Sequence, residues 1–206
     1  IQDTFVTLEN LDFNTVYYWQ VTVSDAYESV QSELLNFRTM PLPDNDFYFT
    51  RKTEEQYEIY SSDSVGNSLV RLSWNQKNDW YPRANPSGGS VAFISHDNLE
   101  PHIFTMTREG KERKKITHRP VTGYHNPGRG FAWSPTGYYL IFAHYNQLYR
   151  IHFQGGGEKL LATAPEGRHF RDLAYSPNGN LIVAHTVGVN ADSSELYLIN
   201  ADGSNR

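Results

Sequence analysis

Apolar and polar residues alternate along this chain in short runs with a period of two, and Gly, Pro, Asn and Asp punctuate the gaps. That pattern predicts strands and turns throughout. In the first forty residues TVYYWQVTVSD (15–25) and LLNFRT (34–39) read as two strands joined by the polar link AYESVQSE. MPLPD (40–44) is a proline-rich break. Beyond it the strand signals recur in order. Pro-x-Gly stands at Pro86–Gly88, Pro135–Gly137 and Pro177–Gly179, each followed by an apolar run: SVAFIS, YLIFAH and NLIVAH. FAWSP and LAYSP precede two of these runs. A run centred on an aromatic follows each of the three (HIFTM, QLYRI, ELYLI), and EIYSS, after FYFT, fills the same slot upstream. Short closing runs complete the earlier units: VRLS, KKIT and KLLA.

The spacing is 42 residues from Pro135 to Pro177 and 49 from Pro86 to Pro135, the surplus lying in the loop THRPVTGYHNPGRG. Four short strands every 40–50 residues or so is the repeat of β-propeller blades. Proline presets φ and glycine accepts positive φ, so Pro-x-Gly makes the turn between the first and second strands of a blade. The second strand is apolar throughout because both its faces meet neighbouring blades. Blades are expected at about 47–80, 81–128, 129–170 and 171–206, after a linker at 40–46. The last is incomplete, since NADGSNR stands where its closing strand should begin. The first has no recognisable innermost strand, which the linker or a strand from elsewhere would supply.

Two resemblances sharpen this picture. Leu11-Asp-Phe-Asn-Thr15-Val-Tyr17 resembles the L-x-P-x-T-x-Y corner before strand F of fibronectin type III domains, with Phe13 in place of the proline. The resemblance implies that residues 1–39 are the C-terminal strands of an immunoglobulin-like sandwich, with Tyr17 bonding back upstream. FAWSPTG, LIFA and LYRI, with LAYSPNG, LIVA and ELYLINADGSN, resemble the repeat of TolB-type propellers. Arg71-Leu72-Ser73 and Lys115-Ile116-Thr117 match its closing strand, and Asp79 in WNQKNDWYP matches its linker acid; Ala84-Asn-Pro86 departs from its Trp-Ser-Pro. This second resemblance covers roughly 43–206. It implies an all-β fold, a propeller of six to eight blades after a partial sandwich, with further blades in the same chain.

Composition narrows the function. Aromatics make up 14% of the 206 residues, with 14 Tyr, which suits strands. The formal net charge of −5 argues against a nucleic-acid partner. There are no cysteines, so no disulfide, Cys-type zinc site or thiol nucleophile can form within this stretch. No run approaches the roughly 18 apolar residues of a membrane span.

Motifs that carry chemistry are absent: no G-x-S-x-G, Walker A or H-E-x-x-H occurs. Gly155–Gly157 before Lys159 reads as a hairpin turn and Asp202-Gly203 as an Asx turn rather than a calcium loop, so neither a cofactor nor a metal is expected. His144 and His185 occupy what read as equivalent slots in successive blades, roughly 10–20 Å apart by ordinary sheet spacing. The basic stretch REGKERKKITHR (108–119) reads first as a solvated blade edge and second as an anion or partner patch. Inter-blade loops reach one face around the channel mouth, which makes Trp80, Tyr81, Tyr124, His125, His169 and Arg171 the candidate binding residues. Packing is the competing role for each. The resemblance implies a non-enzymatic scaffold of the bacterial cell envelope, extracytoplasmic, binding a protein partner or a cell-surface glycan. The alternative is the propeller of a prolyl-oligopeptidase-type hydrolase or a channel-metal polysaccharide lyase.

Overall fold

A computed structural model describes residues 5–9, 11–123, 130–188 and 193–204. All regular structure among them is β, and the chain divides into two compact units, 1–44 and 45–206.

The first unit contains β1 (Val16–Trp19), β2 (Thr22–Ser24), β3 (Ser29–Gln31) and β4 (Leu35–Arg38), paired antiparallel as β1 with β4 and β2 with β3. The run 15–25 breaks at Gln20–Val21 because Ser32 intrudes. Val21 N–H donates to Ser32 Oγ (3.0 Å) and Gln20 Nε2 to the Ser32 carbonyl (2.8 Å). Tyr17 stacks on Phe37 at 5.7 Å, and its hydroxyl accepts the Asp12 N–H at 2.7 Å.

The second unit is a series of antiparallel sheets in chain order. The first has β5 (Phe47–Lys52), β6 (Tyr57–Ser62) and β7 (Val70–Arg71). The second has β8 (Asp79–Ala84), β9 (Ser90–Asp97), β10 (Glu100–Thr107) and β11 (Lys114–Lys115). The third has β12 (Phe131–Trp133), β13 (Tyr139–His144), β14 (Gln147–His152) and β15 (Lys159–Thr163). The fourth has β16 (Arg168–Tyr175), β17 (Leu181–Gly188) and β18 (Ser194–Asn200). The first sheet has no counterpart of β8 or β12 among the described residues, and the linker contributes no strand to it.

Alternation along the apolar second strands explains the packing. On β9, Val91 and Phe93 pack with Ile59, Leu72, Phe104 and Met106, joining the first and second sheets. Ala92 and Ile94 point the other way and pack with Phe131, Trp133, Leu140 and Phe142 of the third. Ile141 and Ala143 of β13 repeat this against Phe170, Leu173, Ile182 and Ala184 of the fourth. Each fully buried Phe or Leu of this kind contributes about 1.5–3 kcal/mol.

Turns nest on neighbouring sheets. Gly110, in the β10–β11 turn, has φ +81, and a Cβ there would lie 2.2 Å from the Leu72 carbonyl. Gly155 sits against Ile116 and Gly203 against Leu161 at the same place in later sheets. Lysines on the closing strands add a second tie: Lys114 donates to the Gln154 carbonyl (2.6 Å) and Lys159 to the Asp202 carbonyl (2.9 Å).

The basic stretch 108–119 is therefore not a free patch. Arg108 donates to Tyr48 Oη and the Asn45 carbonyl, both at 3.0 Å. Arg113 donates to Ser95 Oγ (2.6 Å) and lies 4.1 Å above the Phe104 ring. Lys115 pairs with Asp97 (2.6 Å) and Arg119 with Glu158 (2.9 Å).

Candidate functional site

In an antiparallel sheet the first and third turns fall at one end and the second turn and the outgoing link at the other. The Pro-x-Gly turns and the β10–β11 type turns thus share one face. The second-to-third-strand hairpins and the inter-sheet links form the opposite, loop face, which carries the predicted site.

Trp80 and Tyr81 lie at a β-bulge where the register of β8 against β9 shifts between Trp80 and Arg83. Bulges re-aim side chains and are frequent beside functional sites. Tyr81 has φ +53, is 42% exposed, and donates its N–H to Thr50 Oγ1 (3.1 Å). Trp80 is half-buried, with Tyr57 at 6.1 Å and His96 edge-on at 4.8 Å. The three rings tie the first sheet to the second at the loop face.

Arg171 lies at a second bulge, between Phe170 and Asp172 of β16. The link from the second sheet docks there, with Gly123 so close that a Cβ would meet the Arg171 carbonyl at 2.6 Å. His169 is exposed, with Tyr145 of the β13–β14 hairpin at 5.8 Å; Tyr145 in turn meets His144 at 5.0 Å. Tyr124 and His125 lie outside the described residues. The structure thus places the four remaining candidates in two groups, Trp80 with Tyr81 and His169 with Arg171.

His144 and His185 do not occupy equivalent positions. Trp133 faces Leu140 and Tyr175 faces Ile182, so those pairs correspond. His144 comes four residues after Leu140 and His185 three after Ile182. One residue out of step puts them on opposite faces of their sheets. His144 Nδ1 meets the Pro120 carbonyl (2.8 Å) and His185 Nδ1 the Asp172 carboxylate (3.0 Å). Among the described residues no group of three or more His, Cys, Asp or Glu could hold a metal ion.

Tyr57, His96, Leu99 and Tyr145 were missed by sequence reasoning. A signal existed for Leu99: in SHDNLEPHIF, Asn-Leu falls where a tight hairpin favours Asn-Gly.

These sheets and turns define a β-propeller fold. The chain resembles solved structures of a putative TolB from Agrobacterium tumefaciens (TM-score 0.63, 18% identity, covering 77% of this chain and 58% of that one) and of TolB from Acinetobacter baumannii (0.57, 18%, 76% and 39%). It also resembles an oligogalacturonate lyase in complex with manganese (0.55, 17%, 72% and 40%) and a chain of a nidogen/laminin complex (0.57, 14%, 77% and 59%). In every case the chain spans less than two thirds of the structure it resembles. No family model and no curated protein sequence matches it.

Proposed function

We propose that this chain is part of a non-enzymatic scaffold of the bacterial cell envelope, which binds a protein partner or a surface glycan through the loop face of its propeller. The observation that carries this reading is the gathering of Trp80, Tyr81, Tyr145, His169 and Arg171 on one face, three of them at bulges that re-aim them. Aromatic and Arg side chains are the usual anchors of binding surfaces. Of the structurally similar proteins one is TolB, another a putative TolB, and a third belongs to a nidogen/laminin complex. The reading includes an extracytoplasmic location, blades near 47–80, 81–128, 129–170 and 171–206, and residues 1–39 as the closing strands of a fibronectin type III-like sandwich. The Tyr17–Asp12 hydrogen bond supports the last of these.

The test is binding to solubilised envelope proteins and to arrayed envelope glycans by the native protein and by a Tyr81→Ala/Arg171→Ala variant. Binding that the variant loses supports the loop face; binding that both retain equally moves the site elsewhere.

The likeness to a manganese-bound oligogalacturonate lyase motivates a second reading, a channel-metal lyase. Unsaturated products from polygalacturonate in the presence of manganese would establish it.

A further inference from the structure

Ser90, Thr105 and Thr107 stand on the face of the second sheet that meets the third. Ser90 continues the row of Ala92 and Ile94 on β9, and Thr105 and Thr107 continue that of Ile103 on β10. Ser90 lies directly opposite Thr107, and Lys114 of β11 lies opposite Thr105. These rows turn from apolar to hydroxylated as they approach the Pro-x-Gly turns.

The third sheet fills the same positions with large side chains. Counted from Pro86 and Pro135, Tyr139 corresponds to Ser90; by register Arg150 corresponds to Thr105 and His152 to Thr107. There the Arg150 guanidinium lies 4.6 Å from the Tyr139 ring centre, and His152 meets that ring edge-on at 5.8 Å. In the second sheet three small hydroxyl residues leave instead a cleft of about 430 Å³, bounded on its far side by Phe153 and Gln154 ahead of β15. Interiors close-pack where the fold has no use for space. The volume lies within the roughly 300–1,000 Å³ of small-molecule sites.

The walls define the ligand. Ser90 Oγ accepts from Asn85 Nδ2 and Thr107 Oγ1 from the Lys111 N–H, both at 3.1 Å, so each hydroxyl keeps its own proton to donate. Among the described residues nothing pairs with the Glu112 carboxylate or the Gln154 side-chain amide. Glu112 is held at φ +53, a conformation that is otherwise left to glycine on this face among the described residues. Lys114 gives one proton to the Gln154 carbonyl at 2.6 Å. Glu112 balances Lys114, and Glu109 balances Lys111 in the adjoining turn, so the cleft carries no net charge. Half-buried Phe153 packs on the apolar rows and adds ring surface. A fitting ligand donates and accepts through hydroxyls, is uncharged, and has an apolar face.

We propose that this cleft binds an uncharged sugar ring. It lies on the face opposite the loop face, so the proposal goes beyond the reading above and does not rest on it.

The experiment titrates the full-length protein with glucose, galactose and N-acetylglucosamine, as free sugars and as oligosaccharides, followed by saturation-transfer NMR and calorimetry. Glucuronate and glucosamine are the charged comparators. Binding of a neutral sugar is expected, at least tenfold weaker in Ser90→Tyr/Thr107→His, which fills the cleft with the residues the third sheet carries, and weaker in Glu112→Gln. If the filled variant does not fold, Glu112→Ala/Gln154→Ala, which changes two exposed side chains, decides in its place. Equal binding of free sugar and oligosaccharide identifies a free saccharide as ligand; binding of oligosaccharide alone identifies a glycan end. Both support the proposal. No binding of any neutral sugar, a preference for either charged sugar, or binding that the folded variants retain in full overturns it, and each leaves the loop-face reading standing.

Discussion

The Asn85 side-chain amide donates to the Gly137 carbonyl at 3.1 Å, and Asn85 Oδ1 fills the place where a Cβ on Gly137 would lie, at 2.0 Å. The Pro-x-Gly turn of one blade is thereby clasped by the residue that begins the same turn in the blade before. Gly137→Ala breaks the clasp as well as straining φ +74, and is expected to cost about 2 kcal/mol. Gly110→Ala should cost more, since rigid backbone at Leu72 stands only 2.2 Å away. Gly156→Ala meets open space and should lose only the conformational share, about 1 kcal/mol. Urea midpoints of the three variants check this order.

Glu58 is fully buried and takes a hydrogen bond from Ser73 and an ion pair from Arg71 at 2.7 Å. A buried carboxylate that loses its cation is far more costly than a pair removed whole. Arg71→Ala is expected to destabilise by about 3 kcal/mol. Glu58→Gln/Arg71→Met should recover much of that loss in the same denaturation assay.

His102 occupies the place of Glu58 in the next blade, with Nδ1 3.2 Å from Thr117 Oγ1 and Nε2 3.7 Å from Glu100. Burial holds its pKa below the ordinary 6.5; the Lys115 charge acts the same way, while Glu100, the hydrogen bond at Thr117 and Asp97 oppose it. The unfolded chain therefore takes up a proton before the folded one does. Stability is full above the ordinary value and falls as pH drops through 6.5 towards the depressed folded value. His102→Gln should flatten that dependence, and Gln147 already stands at the corresponding position of the third blade. Urea midpoints measured from about pH 7.5 to about pH 5.5 would show it.

In the first unit, Tyr17→Phe removes the acceptor of the Asp12 N–H and keeps the stack on Phe37. The expected loss is about 1 kcal/mol, with the Asp12 amide becoming faster in hydrogen exchange.

Much of the propeller was legible because its signals are local. FAWSP-TG-YYLIFAH states a strand, a turn and a strand within 14 residues, and β12 and β13 form there. The closing runs VRLS and KKIT contain β7 and β11, and KLLA opens β15. Contacts made by chain folding were not legible. Lys114 reaches Gln154 and Arg108 reaches Asn45, partners 40 and 63 residues away, so a stretch that read as an open basic edge turned out to be tied down. The site was legible in part for the same reason. Tyr81 and Arg171 were found by residue type, but the bulges that re-aim them depend on register with β9 and β17.

The seating of Gly110 on Leu72, Gly155 on Ile116 and Gly203 on Leu161 links only blades adjacent in the chain. Through these seats cooperativity passes from neighbour to neighbour, as in a zipper. A blade seated on both sides forfeits two couplings when it is lost. A blade inserted with both its seats intact would then add to the row without retuning the rest.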